Sequence, residues 1–195
     1  DVAHLDRAEV ARAAIESVAE NTVDAVVAPA LWALVGGARV VFAYRAVNTL
    51  DSMVGYRDPR YARFGWAAAR ADDVANWVPA RLTAFLVAAS RPRRAATVWR
   101  TVRRDAPAHP SPNAGVAEAA FAGALGLRLG GPTVYRGRSD PRPYLGDGRD
   151  PAPEDIADAV RLSDQVTVRL GGALVASALV LRTRAPKRRS DAGRR

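Results

Sequence analysis

Cysteine is absent from the 195 residues, which excludes a disulfide framework, thiolate zinc sites, iron-sulfur clusters and a cysteine nucleophile. Histidine occurs only at His4 and His109, too few for a multi-histidine zinc site, and a Ser-His-Asp triad would have to be built on one of them. The one lysine, Lys187, lies near the C-terminus, so a phosphate-binding loop ending in Gly-Lys is lacking, and no G-x-G-x-x-G follows a strand pattern. A charged start, short apolar core and small-residue cleavage site are also missing from the first residues. The net charge is +9, but Arg182–Arg195 alone holds seven cations and one anion. A folded basic patch of the kind that grips nucleic acid is therefore not indicated, and no nucleic-acid partner is expected.

What is present is helical. Asp6 followed by Glu9 forms a capping box, with Val10, Ile15 and Val18 at helical spacing behind it. Three apolar stretches follow. Ala25–Tyr44 has the length of a membrane span, interrupted by Gly36, Gly37 and Arg39; Val74–Ser90 contains Pro79 and Arg81; Leu170–Leu181 is short and runs into the basic tail. Hydropathy by itself leaves membrane helices and buried core helices equally open. Pro107, Pro110 and Pro112 force an extended loop, and the Pro- and Gly-rich residues 132–153 read as a long loop or linker. The expectation is an all-α chain with polar loops between apolar helices, a body over 1–181 and a disordered basic tail over 182–195.

Oxygen ligands gather where the apolar stretches begin and end. Glu16, Glu20 and Asp24 are spaced by four and share one helix face. Asn21-Thr-Val-Asp24 and Asn48-Thr-Leu-Asp51 bracket the first apolar stretch, and Asp73 with Asn76, beside Asp72, precedes the second. Oxygen-only clusters suit a hard cation such as Mg²⁺, although Asn, Asp and Thr also cap helices. Arg45, Arg57, Arg70 and Arg81 offer guanidinium forks for phosphate or anchors at a membrane edge. Trp66 and Trp77 fit an interfacial aromatic belt. His109, Ser111 and Asn113 lie on a proline-stiffened loop ahead of Glu118, a plausible binding loop.

The strings ESVAENTVDAVVAP from Glu16, YRAVNTLDSMVGYR from Tyr44, GWAAARADDVANWVPARLTA from Gly65, HPSPNAG from His109, EAAFAGALGLRLGG from Glu118 and RPYLGDGR from Arg142 together resemble the CobD/CbiB family of cobalamin biosynthesis. The resemblance implies a multi-pass helical protein of the inner membrane with its C-terminal tail in the cytoplasm. It also implies the adenosylcobinamide-phosphate synthase reaction, in which aminopropanol or its phosphate is joined to a propionate of adenosylcobyric acid by an ATP-dependent amide ligation that needs Mg²⁺. The implied partners are the corrinoid, aminopropanol phosphate, the lipid bilayer and other enzymes of the pathway. Family members carry a further N-terminal stretch, so this sequence is expected to open where that stretch ends. It also departs from the family pattern at Ala25, Ala108 and Ala117, where Gly, Lys and Pro are usual, and Arg91, Arg93 and Arg94 cut the second apolar stretch short. Under this reading Asp24, Asp51, Asp72, Asp73, Asn21, Asn48 and Asn76 hold the metal and phosphates. Arg45, Arg81, Asn113 and Glu118 bind substrate, and Glu20 or His109 takes the proton of the attacking amine. The alternatives are a non-catalytic membrane scaffold or corrinoid-handling subunit of the same pathway, and a soluble basic binding module.

Overall fold

Asp6 starts the first helix as the sequence requires. Its carboxylate accepts from the Glu9 amide at 2.8 Å, while Glu9 accepts from the Asp6 amide at 2.9 Å. The computed structural model describes residues 6–55, 63, 65–135, 138–140 and 142–184. Their helices are α1 (Arg7–Asn21), a π-helical turn (Thr22–Val27), α2 (Ala28–Val54), α3 (Trp66–Ser90), α4 (Ala95–Asp105), α5 (Ala114–Leu125) and α6 (Pro153–Arg184). The all-α expectation holds for the body of the molecule. α6 carries its helix past the expected boundary at Leu181 to Arg184, and residues 185–195 of the expected tail lie outside the described residues.

The loop over 132–153 differs from a structureless linker. With the residues just before it, it forms two short antiparallel pairs, β1 (Leu129–Gly130) with β4 (Tyr144–Leu145) and β2 (Thr133–Tyr135) with β3 (Arg138–Asp140). Strands of two or three residues are too brief to leave an alternating pattern, so periodicity could not announce them.

The core centres on α5, whose small residues let neighbours approach closely. A Cβ on Gly123 would stand 2.9 Å from the Val98 Cα of α4. Ile15, Val27, Val87, Val98, Phe121 and Leu162 are completely enclosed around it. A helix apolar on every side is a buried helix.

The helical run Arg7–Val54 is long and apolar enough, by length and composition, to cross a membrane. Its path is not straight. Gly36 (φ −150°, ψ 18°) and Gly37 (φ 64°, ψ −158°) leave helical geometry, and Gly37 adopts a left-handed φ that other residues resist. Hydrogen bonds between Asp24 and Asn48, and between Tyr44 and the Asp24 main chain, show that the chain doubles back at this break. α2 is therefore two antiparallel stems, residues 28–35 and 38–54. The first stem docks on α3 through a proline: Pro79 has no amide to give to the Ala75 carbonyl, and the Trp32 indole N–H donates to that carbonyl at 3.3 Å.

Candidate functional site

The doubled-back stems bring their polar ends against the first turns of α3. Asn48 stands at the centre. Its Nδ2 donates to Asp24 Oδ2 and to Asp72 Oδ1, both at 3.2 Å, and its Oδ1 accepts from Arg45 Nη1 at 3.2 Å. Asn76 Nδ2 lies 3.1 Å from both Asp72 oxygens, and its Oδ1 accepts from the Tyr44 hydroxyl at 3.0 Å. Both amides are buried. Two carboxylates are thus held together by neutral amides, with the Arg45 guanidinium directed to Asn48 and to the Asp24 main-chain oxygen.

Asp24 sits in the π-helical turn, a local widening that recurs at functional sites. Burial raises its carboxyl to about 6, and the negative charges of Asp72 and Glu20 add to the rise against the Asn48 hydrogen bond. Asp51 is pushed up as well, first by burial and then by Asp72 and Asp73.

A second group of carboxylates adjoins the first. Glu118, in the apolar helix α5, is 2% exposed. Its carboxyl is held well above the usual range by burial, by the charges of Glu16 and Glu20, and by a hydrogen bond with Glu20. Glu16 is raised too, chiefly by burial, although its Oε1 accepts from the Gly130 amide at 2.7 Å. Glu20 lies close enough to both Asp24 and Glu118 for its charge to push each upward. His109 Nδ1 lies 3.1 Å from both the Ser111 amide and the Ser111 carbonyl oxygen, and its Nε2 lies 3.8 Å from Glu118 Oε1. Gly115 makes room for the ring, since a Cβ there would lie 2.5 Å from that of His109.

The loop carrying His109 also reaches α3. Asn113 accepts from Arg81 Nη1 at 3.0 Å and donates to the Asp73 main-chain oxygen at 2.8 Å. Arg81 lies over the Trp77 ring, 4.4 Å from its centroid.

Most of the residues expected from the sequence therefore meet. Asp24, Asn48, Asp72, Asn76 and Arg45 form one hydrogen-bonded group; Glu20, Glu118 and His109 form a second; Arg81 and Asn113 pair beside them. Among the described residues Asp51 is linked to the group through the charges of Asp72 and Asp73. Asp73 is paired with Arg70 at 3.4 Å. Asn21 stands apart, donating to the Ser17 carbonyl at 2.8 Å, because its position on α1 faces outward. Arg57 lies outside the described residues. Glu16 and Tyr44 were not singled out as site residues, yet each had a signal: Glu16 begins the acidic stripe, and Tyr44 places a hydroxyl at the polar end of an apolar stretch.

Among the described residues no group of three or more His, Asp or Glu side chains is arranged as a metal cage. Asp24 and Asp72 are the oxygen donors of the group, since the Asn48 and Asn76 oxygens accept from Arg45 and Tyr44; two carboxylates fit Mg²⁺, which keeps its waters and is commonly bound by one or two carboxylates together with substrate phosphates.

A profile of the CobD/Cbib protein family matches residues 1–163. The chain is 57% identical over 190 residues to the cobalamin biosynthesis protein CobD of Mycobacterium tuberculosis, covering 94% of this chain and 59% of the relative. It is 53% identical over 150 residues to that of Geobacter metallireducens, covering 75% and 47%, and 50% identical over 163 residues to that of Rhodobacter capsulatus, covering 83% and 52%. The chain thus spans about half the length of the curated relatives it matches. No solved structure matches.

Proposed function

The chain belongs to the CobD/CbiB family, and from that premise we propose that it acts in cobalamin biosynthesis as part of a membrane-bound amide ligase. The reaction is the adenosylcobinamide-phosphate synthase reaction, joining aminopropanol or its phosphate to a propionate of adenosylcobyric acid. The observation that carries this reading is the pair Asp24 and Asp72, gathered across Asn48 beside Arg45, next to the carboxyl pair of Glu20 and Glu118.

An unactivated carboxylate does not condense with an amine. ATP transfers a phosphoryl group to the propionate oxygen, ADP departs, the amine attacks the acyl carbon, and phosphate leaves as the amide forms. Mg²⁺ held by Asp24 and Asp72, with Asn48, Asn76 and Asp51 around them, would supply charge neutralisation to the phosphates. Arg45 and Arg81 contribute guanidinium donors to the same negative charge. The attacking amine gives up one proton, and Glu20, one helical turn before Asp24, is the residue to take it. His109 acts as a positioning residue, with its ring beside Glu118.

The test is product formation by mass spectrometry in membranes carrying the complete gene product, supplied with adenosylcobyric acid, aminopropanol phosphate, ATP and Mg²⁺. Adenosylcobinamide phosphate made by the unaltered protein and not by Asp72→Asn is the expected result. Equal product from both would remove the acidic pair from the reaction, and product from neither, with intact protein in the membrane, would favour a scaffold.

A further inference from the structure

The apolar stretch expected to span the bilayer begins and ends at one place. In a continuous helix, Asp24 and Asn48 would stand about 36 Å apart at 1.5 Å per residue; here their side chains hydrogen-bond at 3.2 Å. From Asp24 to the break at Gly36 the first stem rises only about 18 Å, against a hydrocarbon core of about 30 Å. Polarity is divided along the same axis. The base holds Asp24, Arg45, Asn48 and Asp72, whereas Leu34, Val35 and Phe42 toward the tip are 65%, 66% and 75% exposed. Side chains of this kind facing outward at one end of a hairpin, with every charge except Arg39 at the other end, match a lipid interior meeting a headgroup layer. Trp32, with an amphipathic ring suited to such a boundary, lies between the two ends. Arg39, two residues past the turn, is exposed and is the one charge between Ala25 and Tyr44, with a side chain long enough to snorkel.

We propose that residues 25–44 form a re-entrant hairpin, which enters the bilayer and leaves it on the same side, with Gly36 and Gly37 at its deepest point and the Asp24–Asn48–Asp72 group at its mouth. This rests on the membrane part of the reading above and not on the ligation. It differs from a spanning helix in one measurable respect: the chain before the segment and the chain after it share a compartment.

Because these 195 residues hold no cysteine, single cysteines can be placed among them without removing any there, and any cysteine elsewhere in the complete protein is first replaced by serine. Ala13→Cys, Thr49→Cys and Ala38→Cys, each at an exposed position, are made in the complete protein and treated with a membrane-impermeant maleimide in right-side-out and in inverted vesicles. The expected result is labelling of positions 13 and 49 in the same vesicle orientation and loss of labelling at 38 in both orientations until detergent is added. Labelling of 13 and 49 in opposite orientations would overturn the hairpin and restore a span while leaving the membrane reading intact. Labelling of all three in one orientation would show that the segment stays in water, overturning membrane entry itself. If Ala38→Cys fails to accumulate, Leu34→Cys repeats the tip measurement. Product formation by the same variants, read separately, reports on the ligation.

Discussion

Two regions of this molecule treat their carboxylates in opposite ways. Around the loop before α6, every one of four aspartates meets an arginine: Arg104 reaches Asp105 at 2.6 Å and Asp147 at 2.9 Å, Arg128 meets Asp150 at 2.8 Å, and Arg149 grips Asp155 with two bonds of 2.7 Å. Hydrogen bonds from these guanidiniums hold Asp105, Asp147 and Asp155 below the usual carboxylate range. At the base of the hairpin, Asp24 and Asp72 are joined by amides, and burial drives Asp24 the other way. The first arrangement is complete as it stands. In the second, among the described residues, Arg45 bonds Asn48 and the Asp24 main chain and neither carboxylate, and perturbed carboxyls of this kind gather at functional sites.

The sharpest way to test this contrast is to neutralise one aspartate in each region. Asp72→Asn is expected to lower turnover by roughly a thousandfold, the scale of losing a main source of charge stabilisation, while Asp147→Asn leaves turnover within about twofold, as for an exposed pair. Comparable losses in both, measured by product formation per folded molecule, would erase the distinction.

A smaller effect concerns stability and has the opposite sign in the two regions. Asp24 has a folded pKa raised to about 6, so the folded state binds its proton more tightly than the unfolded state and stability falls as pH rises through the interval from about 4 to 6. Asp24→Asn removes that penalty. At pH 7.5 and without Mg²⁺ it is expected to stabilise the protein by about 1–3 kcal/mol, with the difference vanishing below pH 4 in thermal unfolding followed against pH. Asp155 behaves in reverse, because it accepts from Arg149 and from the Ala152 amide at 2.8 Å at the start of α6. Asp155→Ala should cost about 2 kcal/mol and leave activity per folded molecule unchanged; a stabilised Asp155→Ala would break the comparison.

The smallest effect falls at Arg81, where charge is kept and shape is lost. Arg81→Lys retains a cation but gives up the planar stacking on Trp77, and is expected to raise KM by about threefold with kcat little changed, a difference of under 1 kcal/mol. A fall in kcat with KM unmoved would shift Arg81 from binding to the chemical step.

Much of this was legible in the residues. The capping box fixed the start of α1, the spacing of Glu16, Glu20 and Asp24 gave a shared face, and the Asn and Asp pairs at the ends of apolar stretches marked most of the site. The strings from Glu16 to Arg149 carried the family. Direction was harder to read. Gly36 and Gly37 look tolerable within a membrane helix, so hydropathy counts Ala25–Tyr44 as one segment. Only the three-dimensional bond between Asp24 and Asn48 shows it to be two. Asn21 had the same spacing to Asp24 as Asn48 has to Asp51, but a repeated tetrad specifies local geometry and not which face meets a partner. Glu118 stands out as the one charge in an apolar helix, whereas its link to Glu20 depends on packing between α1 and α5 that no spacing encodes.

The clasp made by Asn48 also shortens the loops that the acidic pair must close. Asn48 is bonded to Asp24 and to Asp72, and each of these contacts spans 24 residues of chain. One long closure between the two carboxylates is thereby divided into two shorter ones, each closed by a bond of its own.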